Sequence, residues 1–96
     1  MRFDWDPQKD RENRKKHGFS LREARSLFFD ATLTLEFFDD VHSIDEDRYR
    51  AIGPTPMGLL VVTFTIVDDD TIRIVSARAA TSSERLLYND YLRDLP

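Results

Sequence analysis

The 96-residue chain contains no cysteine, and this absence excludes several kinds of chemistry. Such a chain has no disulfide, no thiolate metal ligand and no cysteine nucleophile. Long hydrophobic runs are also lacking, because the longest apolar stretch, residues 57–66, is shorter than the roughly 20 residues of a membrane span. The N-terminal residues show no apolar block behind a basic start, so no secretory signal is visible. These features predict a cytoplasmic protein without membrane contact.

Familiar catalytic motifs are missing as well. The sequence contains no glycine-rich phosphate loop, no nucleophile elbow and no HExxH metal motif. Its two histidines, His17 and His42, are far apart along the chain. The aspartate clusters, including residues 68–70, could bind a divalent cation through carboxylate oxygens, but acidic turns are usually only solvated. We therefore expect neither a metal nor a cofactor.

Charge is abundant but unevenly distributed. The net charge of −4 argues against nucleic-acid binding, because phosphate contacts come from lysine and arginine. Residues 1–25, however, contain eight basic and five acidic side chains, whereas residues 30–47 contain seven acids and neither Lys nor Arg. This asymmetry predicts one basic and one acidic face. An uneven solvated surface explains the pattern equally well.

Caps and periodicity predict the elements of the first third of the chain. Phe3 and Trp5 alternate with a polar residue as in a short strand, and a helix is expected from Pro7 to His17 because Gly18 follows it. This helix has no apolar stripe, so Asn13 and His17, four residues apart, are predicted to face the protein. Its outer surface is then basic: Arg11, Arg14 and Lys15. Ser20 and Glu23 form a capping box that opens a second, amphipathic helix.

The rest of the chain alternates mainly with the period of strands. Strands are predicted at residues 31–38, 48–52, 59–67 and 71–79, with turns at Gly53-Pro54, residues 56–58 and residues 68–70. A second capping box, Thr81 to Glu84, opens a C-terminal helix that carries Leu87, Tyr88, Tyr91 and Leu92. The order β-α-α-β-β-β-β-α predicts one α+β domain over residues 1–96. Its helices are expected on one side of a mostly antiparallel sheet of about five strands.

Polar and basic side chains near the strand ends are the candidate functional residues. On the last strand, alternation is expected to place Ile72, Ile74, Ser76 and Arg78 on one face. Arg78 and Arg85 flank one tight connection and could converge on a phosphate, which suits the planar guanidinium group. The structural alternative is that Arg78 pairs with Glu84 or Asp90, while Tyr88, beside Arg85 on the helix, only packs.

Several motifs, taken in their order and spacing, give the chain a resemblance to a known family. They are Phe3-Asp4-Trp5-Asp6-Pro7, Asn13, Lys16-His17-Gly18, Ser20 with Glu23 and Ala24, Glu46, Arg48, Gly53, Ile74-Val75-Ser76-Ala77-Arg78, Ala80, Glu84-Arg85 and Tyr88. With these residues the chain resembles the BrnT toxins over nearly its whole length. It departs from them in Val75, where isoleucine is common, and in an acidic balance unlike that of typical RelE-like toxins.

The resemblance implies a RelE-like α+β fold and cleavage of RNA. It also implies a ribbon-helix-helix antitoxin of the BrnA type, which neutralises the toxin and through which the complex binds operator DNA. We expect a toxin that is monomeric alone and a heterotetramer of two toxins on an antitoxin dimer.

For RNA cleavage, the resemblance implies a metal-independent attack of the ribose 2′-hydroxyl on the adjacent phosphate. This mechanism needs a base, an acid and cations around the phosphorane. We assign Arg78 and Arg85 to the phosphate, with Arg48 as a third cation. His17 and Glu46 are candidate base or acid, although His17 could be only a helix cap, and Tyr88 could hold the phosphate or donate a proton. Further contacts with RNA are expected from Lys15, Lys16 and Arg50.

Three other functions stay open at this point. The chain could be a binding module that acts only by pairing with a repressor, which its acidic charge would fit. It could be a ParE-like poison of DNA gyrase, which shares the fold but lacks RNA chemistry. A nuclease that uses metal bound by the aspartate clusters is the third, and chelators would inhibit it.

Overall fold

The chain folds into a five-stranded sheet with helices on both faces. A computed structural model describes residues 1–44 and 46–95, so that Asp45 of the predicted acidic loop lies outside the described residues. The strands are β1 (Arg2–Asp4), β2 (Leu35–Phe38), β3 (Tyr49–Thr55), β4 (Gly58–Val67) and β5 (Thr71–Ala79). The helices are α1 (Pro7–His17), α2 (Leu21–Ala24) and α3 (Ser82–Arg93), with 3₁₀ turns at Arg25–Phe29 and Ala31–Leu33. In this part of the chain, no helix combines the length and the apolar character needed to cross a bilayer.

The strands follow one another across the sheet in the order β1-β5-β4-β3-β2. The pairs from β2 to β5 are antiparallel, and only β1 runs parallel to its neighbour, with Phe3 opposite Ile72. Hairpin connections join the antiparallel strands from β3 to β5. In the last of these, the three-residue turn 68–70, Asp68 and Asp69 take left-handed φ angles of 55° and 62°. The predicted α+β fold with five mostly antiparallel strands is confirmed.

The predicted caps of the helices are present. The Asp6 carboxylate accepts a hydrogen bond from the Gln8 backbone N–H at 2.9 Å, and α1 ends where Gly18 adopts a φ of 82°. A glycine is suited to this left-handed position because it has no Cβ to clash. Both predicted capping boxes also form, one at Ser20 with Glu23 and one at Thr81 with Glu84. Local sequence therefore determines where each of these helices begins.

One buried amide holds α1 against the sheet. Asn13 is 5% exposed, and its side-chain nitrogen donates to the carbonyl oxygens of Phe19 at 2.8 Å and Ala77 at 2.9 Å. Its side-chain oxygen accepts from the Ala77 N–H at 3.0 Å. Because β1 pairs with β5 only as far as Arg73, this edge of β5 has no strand beside it at Ala77, and the amide replaces one. The predicted inward orientation of Asn13 is confirmed, and the predicted outer residues of α1 are exposed.

The core lies mainly on one face of the sheet. Leu21, Ala24 and Leu27 pack there against alternate residues of the central strands, including Leu60 and Val62. Ile52 and Val61 point to the opposite face, where Tyr88 of α3 covers them. The prediction that all helices gather on one side is therefore wrong. Near β2, the apolar side chains on this opposite face must be buried from solvent, and α3 buries them.

Two predicted strand boundaries are wrong. Residues 31–33 form a 3₁₀ turn instead of a strand. The hydroxyl of Thr34, which follows this turn, donates to the carbonyl oxygens of Leu27 at 3.0 Å and Asp30 at 3.1 Å. β3 continues through Gly53 and Pro54, because the pairing with β2 ends at Ile52 and no second neighbour requires the missing N–H of the proline. The turn follows Thr55.

A β-bulge in β5 changes which residues share a face. Thr63 pairs with Ser76, but the next residue, Phe64, pairs with Ile74, so Val75 is an extra residue in β5. Ile72 and Ile74 belong to the core, whereas Ser76 and Arg78 point to the opposite face. The prediction that these four residues share one face is therefore wrong, because simple alternation assumes an unbroken strand.

The Asn13 amide makes a quantitative prediction about stability. Asn13→Ala leaves the N–H and C=O of Ala77 and the C=O of Phe19 without their partners in a buried place. Unsatisfied buried groups cost roughly 1–3 kcal/mol each before relaxation, so the free energy of unfolding should fall by about 2–4 kcal/mol. Urea denaturation measures this loss. Arg11→Ala, on the exposed side of the same helix, is the control and should change the value by less than about 0.5 kcal/mol. Equal losses in the two variants would contradict the bridging role.

Candidate active site

The sheet face opposite α2 carries four arginines, and we call it the arginine face. Arg50 lies opposite Thr63 on β4, Arg78 lies opposite Val61, and Arg73 lies opposite Thr65. Arg48, two residues before Arg50, lines the same cavity as Arg50 and Thr63. The bulge at Val75 is what directs Arg78 to this face. Helix α3 covers only the end around Ile52 and Val61, and the other end is open.

Two adjoining cavities form a groove along the open part of this face. Val75 and Ser76 line both of them. The first cavity is bordered by residues of α1, namely Lys9, Glu12, Asn13, Lys16 and His17. The second is bordered by Asp39, His42, Arg48, Arg50 and Thr63. The predicted residues His17 and Lys16 therefore border one end of the groove and Arg48 and Arg50 the other, although they lie up to 34 positions apart in the sequence.

Asp39 organises the second cavity. Its carboxylate, 8% exposed, accepts a hydrogen bond from Arg50 Nε at 3.1 Å and lies 3.0 Å from His42 Nδ1. Burial alone would raise the pKa of this carboxyl. The hydrogen bond from His42 and the positive charge of Arg50 outweigh burial, and the pKa of Asp39 lies below its ordinary value. Asp39 is therefore an ionised group that fixes the positions of Arg50 and His42 together.

The segment after β2 is fastened to the start of β3. The Asp39 N–H donates to the Arg48 carbonyl oxygen at 2.8 Å. Ser43 completes the connection, because its hydroxyl donates to the Asp39 carbonyl oxygen at 2.6 Å and accepts from the Arg48 N–H at 2.9 Å. These backbone contacts hold His42 next to the two arginines even though His42 belongs to a loop.

Arg48 has an unused donor. Its Nε is buried and has no hydrogen-bond partner within residues 1–44 and 46–95. In the described part of the chain, the Glu46 carboxylate lies 3.8 Å from this nitrogen, which makes an ion pair but is too long for a hydrogen bond. Burying a charged donor without a partner is costly. Arg48 therefore differs from Arg50 and Arg78, whose guanidinium groups donate to carboxylates, because its Nε lacks a hydrogen-bond acceptor among the described residues.

Arg78 is engaged elsewhere. Its guanidinium group donates to the two carboxylate oxygens of Glu84 at 2.7 and 2.9 Å, so the pairing considered as the structural alternative is observed. The hydrogen bond from Arg78, together with that from the Thr81 N–H at 2.8 Å, lowers the pKa of Glu84 to about 2. This pair ties the end of β5 to the first turn of α3.

The other two predicted residues of α3 point in different directions. The Tyr88 hydroxyl donates to the Leu33 carbonyl oxygen at 2.5 Å, and burial raises the pKa of Tyr88. Arg85 is exposed on the first turns of the helix. Among the described residues, neither borders the groove, and neither does Lys15 on the outer side of α1. Glu46 borders an adjacent depression together with His42 and Arg48.

The residue that sequence reasoning missed is His42. Its signal was weak, because an aspartate three positions earlier lies in an acidic stretch that we interpreted as solvent-exposed. Only the structure shows that Asp39 is buried while its neighbour Asp40 is exposed. In the described part of the chain, no three His, Cys, Asp or Glu side chains gather as they would to hold a metal ion.

Comparisons with known proteins agree with this architecture. The model of a family described as "Ribonuclease toxin, BrnT, of type II toxin-antitoxin system" matches residues 5–84. Among solved structures, the chain is similar to the ribonuclease toxin BrnT of Brucella abortus, with 26% identity and a TM-score of 0.66 over 85% of this chain and 99% of that one. No curated protein sequence matches the chain significantly. The resemblance inferred from the sequence motifs is confirmed.

The Arg78–Glu84 pair predicts how stability depends on pH. Because the pKa of Glu84 falls from 4.5 in its ordinary state to about 2 in the folded protein, ionisation of Glu84 stabilises the fold above pH 4.5. This contribution, on the order of 2–3 kcal/mol, is lost as the pH falls from 4.5 towards 2. Glu84→Gln should therefore be less stable than the wild type at pH 7 and nearly as stable at pH 2.

Urea unfolding at several pH values measures the difference between the two proteins. Glu36→Gln, at an exposed position of β2, serves as the control and should follow the wild type throughout. A constant difference between wild type and Glu84→Gln from pH 7 to pH 2 would contradict the ionic role of this pair.

Proposed function

This chain belongs to the BrnT family of ribonuclease toxins of type II toxin-antitoxin systems, and we propose that it cleaves RNA in the groove of the arginine face without a metal ion. The observation that carries the proposal is the buried Nε of Arg48, which has no hydrogen-bond partner among the described residues. The Arg48 side chain is 28% exposed, and turning its guanidinium group towards a phosphate of the RNA backbone would give the Nε its acceptor. Arg50, fixed by Asp39 in the same cavity, is the second phosphate ligand.

The basic residues of α1 extend this phosphate site. Lys16 borders the first cavity beside Ser76, so it would contact the RNA on one side of the cleaved bond. Lys15 lies on the outer side of the helix, so it would contact only the part of the RNA that extends beyond the groove. Phosphate contacts of this type position the RNA and carry no information about its sequence.

The reaction is an attack of the ribose 2′-hydroxyl on the adjacent phosphorus. The attacking hydroxyl must lose a proton, the leaving 5′-oxygen must gain one, and the phosphorane must be stabilised by cations. His17, which borders the first cavity, and Glu46, which borders the depression beside Arg48, are the candidates for proton transfer. Arg48 and Arg50 supply the positive charge.

The α3 residues have a supporting role in this proposal. Arg78 binds Glu84 with its two terminal guanidinium nitrogens, and Tyr88 binds the Leu33 carbonyl oxygen. Both side chains therefore fix α3 over the end of the sheet. Arg85 stays available on the surface for contacts with RNA outside the groove. We therefore propose that the phosphate binds at Arg48 and Arg50, and not at Arg78 and Arg85 as the sequence suggested.

The biological role follows from the family. Membership in a type II toxin-antitoxin family implies an antitoxin partner. We infer that RNA cleavage in the cytoplasm arrests growth, and that the partner is a BrnA-type antitoxin with a ribbon-helix-helix domain. The complex would bind operator DNA through that domain and repress its own genes.

Cleavage of a defined RNA by the purified protein tests the site. We expect activity that persists in excess EDTA and that falls on the order of 100- to 1000-fold in Arg48→Ala and in Arg50→Ala, because each removes a donor from the phosphorane. Arg22→Ala is the matched control, since Arg22 is exposed on α2, across the sheet from the groove. It should retain full activity. Loss of activity in EDTA would indicate a metal-dependent nuclease instead.

The same assay separates two roles of Arg78. If Arg78 only fixes α3, Arg78→Ala and Glu84→Ala lower the rate by similar, small factors. If Arg78 holds the phosphate, only Arg78→Ala abolishes cleavage. A well-folded wild type that cuts no RNA would favour a gyrase poison or a non-catalytic binding module, and DNA supercoiling assays separate these two.

The stoichiometry of the antitoxin complex is a separate prediction. Light scattering coupled to gel filtration should give the mass of a monomer for the toxin alone. For the co-purified pair, it should give the mass of two toxins with an antitoxin dimer. A one-to-one heterodimer, or a toxin that dimerises alone, would contradict this assembly.

A further inference from the structure

We propose that His42 is the general base of the groove and that Asp39 is its positioning residue, an inference that rests on the proposed RNA cleavage. His42 borders the groove together with Arg48 and Arg50. Its side chain is 51% exposed, so the ring reaches solvent and a bound RNA strand can reach the ring. The residue therefore lies within the proposed phosphate site, whereas His17 borders the site from the other side of Val75 and Ser76.

The contact with Asp39 determines which ring nitrogen is available. Both oxygens of the Asp39 carboxylate lie within hydrogen-bond distance of Nδ1, at 3.1 and 3.0 Å. An ionised carboxylate is only an acceptor, so the proton of the neutral imidazole stays on Nδ1. Nε2 then carries the free lone pair on the side of the ring away from Asp39. A buried aspartate that orients a histidine in this way is a recurring arrangement in proton-transfer sites.

Asp39 is held in the state that this role requires. It is ionised, because hydrogen bonding to His42 and the charge of Arg50 keep its pKa below the ordinary value despite burial. It also binds Arg50, so the base and one phosphate ligand share a single anchor. Movement of this carboxylate would therefore displace both groups together.

The groups that face the two histidines come from several elements. Two carboxylates, those of Asp39 and Glu46, face His42. Two guanidinium groups also face it, that of Arg48 just before β3 and that of Arg50 on β3. The remaining neighbours, Thr63 of β4 and Ser76 of β5, are neutral. His17 is faced by Lys9, Glu12 and Lys16 of its own helix and by Ser76 of β5. Two carboxylates balance two guanidinium groups around His42, while lysines outnumber carboxylates around His17. The lysines beside His17 would bind the negatively charged RNA backbone next to that ring.

The proton balance assigns one role to each histidine. His42 Nε2 takes the proton of the 2′-hydroxyl as the 2′-oxygen forms a bond to phosphorus. The bond between phosphorus and the 5′-oxygen then breaks, and protonated His17 gives its proton to the leaving oxygen. The products are a 2′,3′-cyclic phosphate and a 5′-hydroxyl end. Proton exchange with water restores both histidines.

The experiment is the pH dependence of single-turnover RNA cleavage, measured for the wild type, His42→Ala and Asp39→Asn. Because a base must be deprotonated, the wild-type rate should fall at low pH. His42→Ala should cleave on the order of 100- to 10,000-fold more slowly and should lose this acid limb, and added imidazole should restore part of the rate. Asp39→Asn should slow cleavage but keep the acid limb, since the base is present and only the carboxylate that orients the ring is gone. Asp40→Asn, at the exposed neighbouring position, is the control and should match the wild type.

Two outcomes would overturn the inference in distinguishable ways. If the wild type cleaves RNA and His42→Ala cleaves at the same rate with the same acid limb, His42 is not the base and the ribonuclease assignment survives. If the well-folded wild type cleaves no RNA, the proposed function fails and His42 loses its role with it. His42→Gln keeps the approximate size and the polarity of the side chain, but its amide cannot act as a base. This variant therefore separates the loss of the base from a loss of activity caused by disturbed structure. A His42→Gln protein as active as the wild type would also contradict the proposal.

Discussion

The arrangement of the groove depends on the hydrogen bonds between the Asn13 amide and the backbone of Ala77. β1 is too short to cover the whole edge of β5, and α1 has no apolar face with which to pack. One buried amide solves both problems, because it satisfies an open strand edge and fixes a highly charged helix against it. The rest of α1 is therefore free to carry lysines and a histidine into solvent beside the arginine face. An apolar stripe would have used those positions for packing.

The second constraint is the bulge at Val75. In the first half of β5, Ile72 and Ile74 point into the core. In the second half, after the bulge, Ser76 and Arg78 point to the opposite face. Without the extra residue, the alternation of the first half would place Ser76 and Arg78 in the core. The bulge also puts Val75 and Ser76 where the two cavities meet. A single inserted residue thus changes a core strand into the floor of a groove.

The sequence predicts what is local and fails where several elements meet. Proline, glycine and the two capping boxes defined the helices, because the signals lie within four residues of each helix end. Alternation could not reveal the bulge or the path of β3 through Pro54, since both depend on what the neighbouring strands do. The side of the sheet that α3 covers depends on packing at Ile52 and Val61. For the same reason, the sequence favoured Arg78, which flanks one tight connection with Arg85, over Arg48. Only the contacts show that Arg78 is paired with Glu84 and that the Arg48 Nε has no hydrogen-bond partner among the described residues.

The acidic net charge is compatible with RNA binding because of where the carboxylates lie. Arg50, Arg73 and Arg78 each donate to a carboxylate from another segment, namely Asp39, Asp4 and Glu84. These pairs reduce the long-range attraction of the face for a polyanion, and they hold the guanidinium groups in fixed orientations. Arg48 differs, since its neighbour Glu46 is beyond hydrogen-bond distance. Among the described residues, the groove therefore combines one guanidinium nitrogen that lacks a hydrogen-bond acceptor with guanidinium groups that are already oriented. Positive charge held in fixed positions in this way is consistent with a chain that is acidic overall.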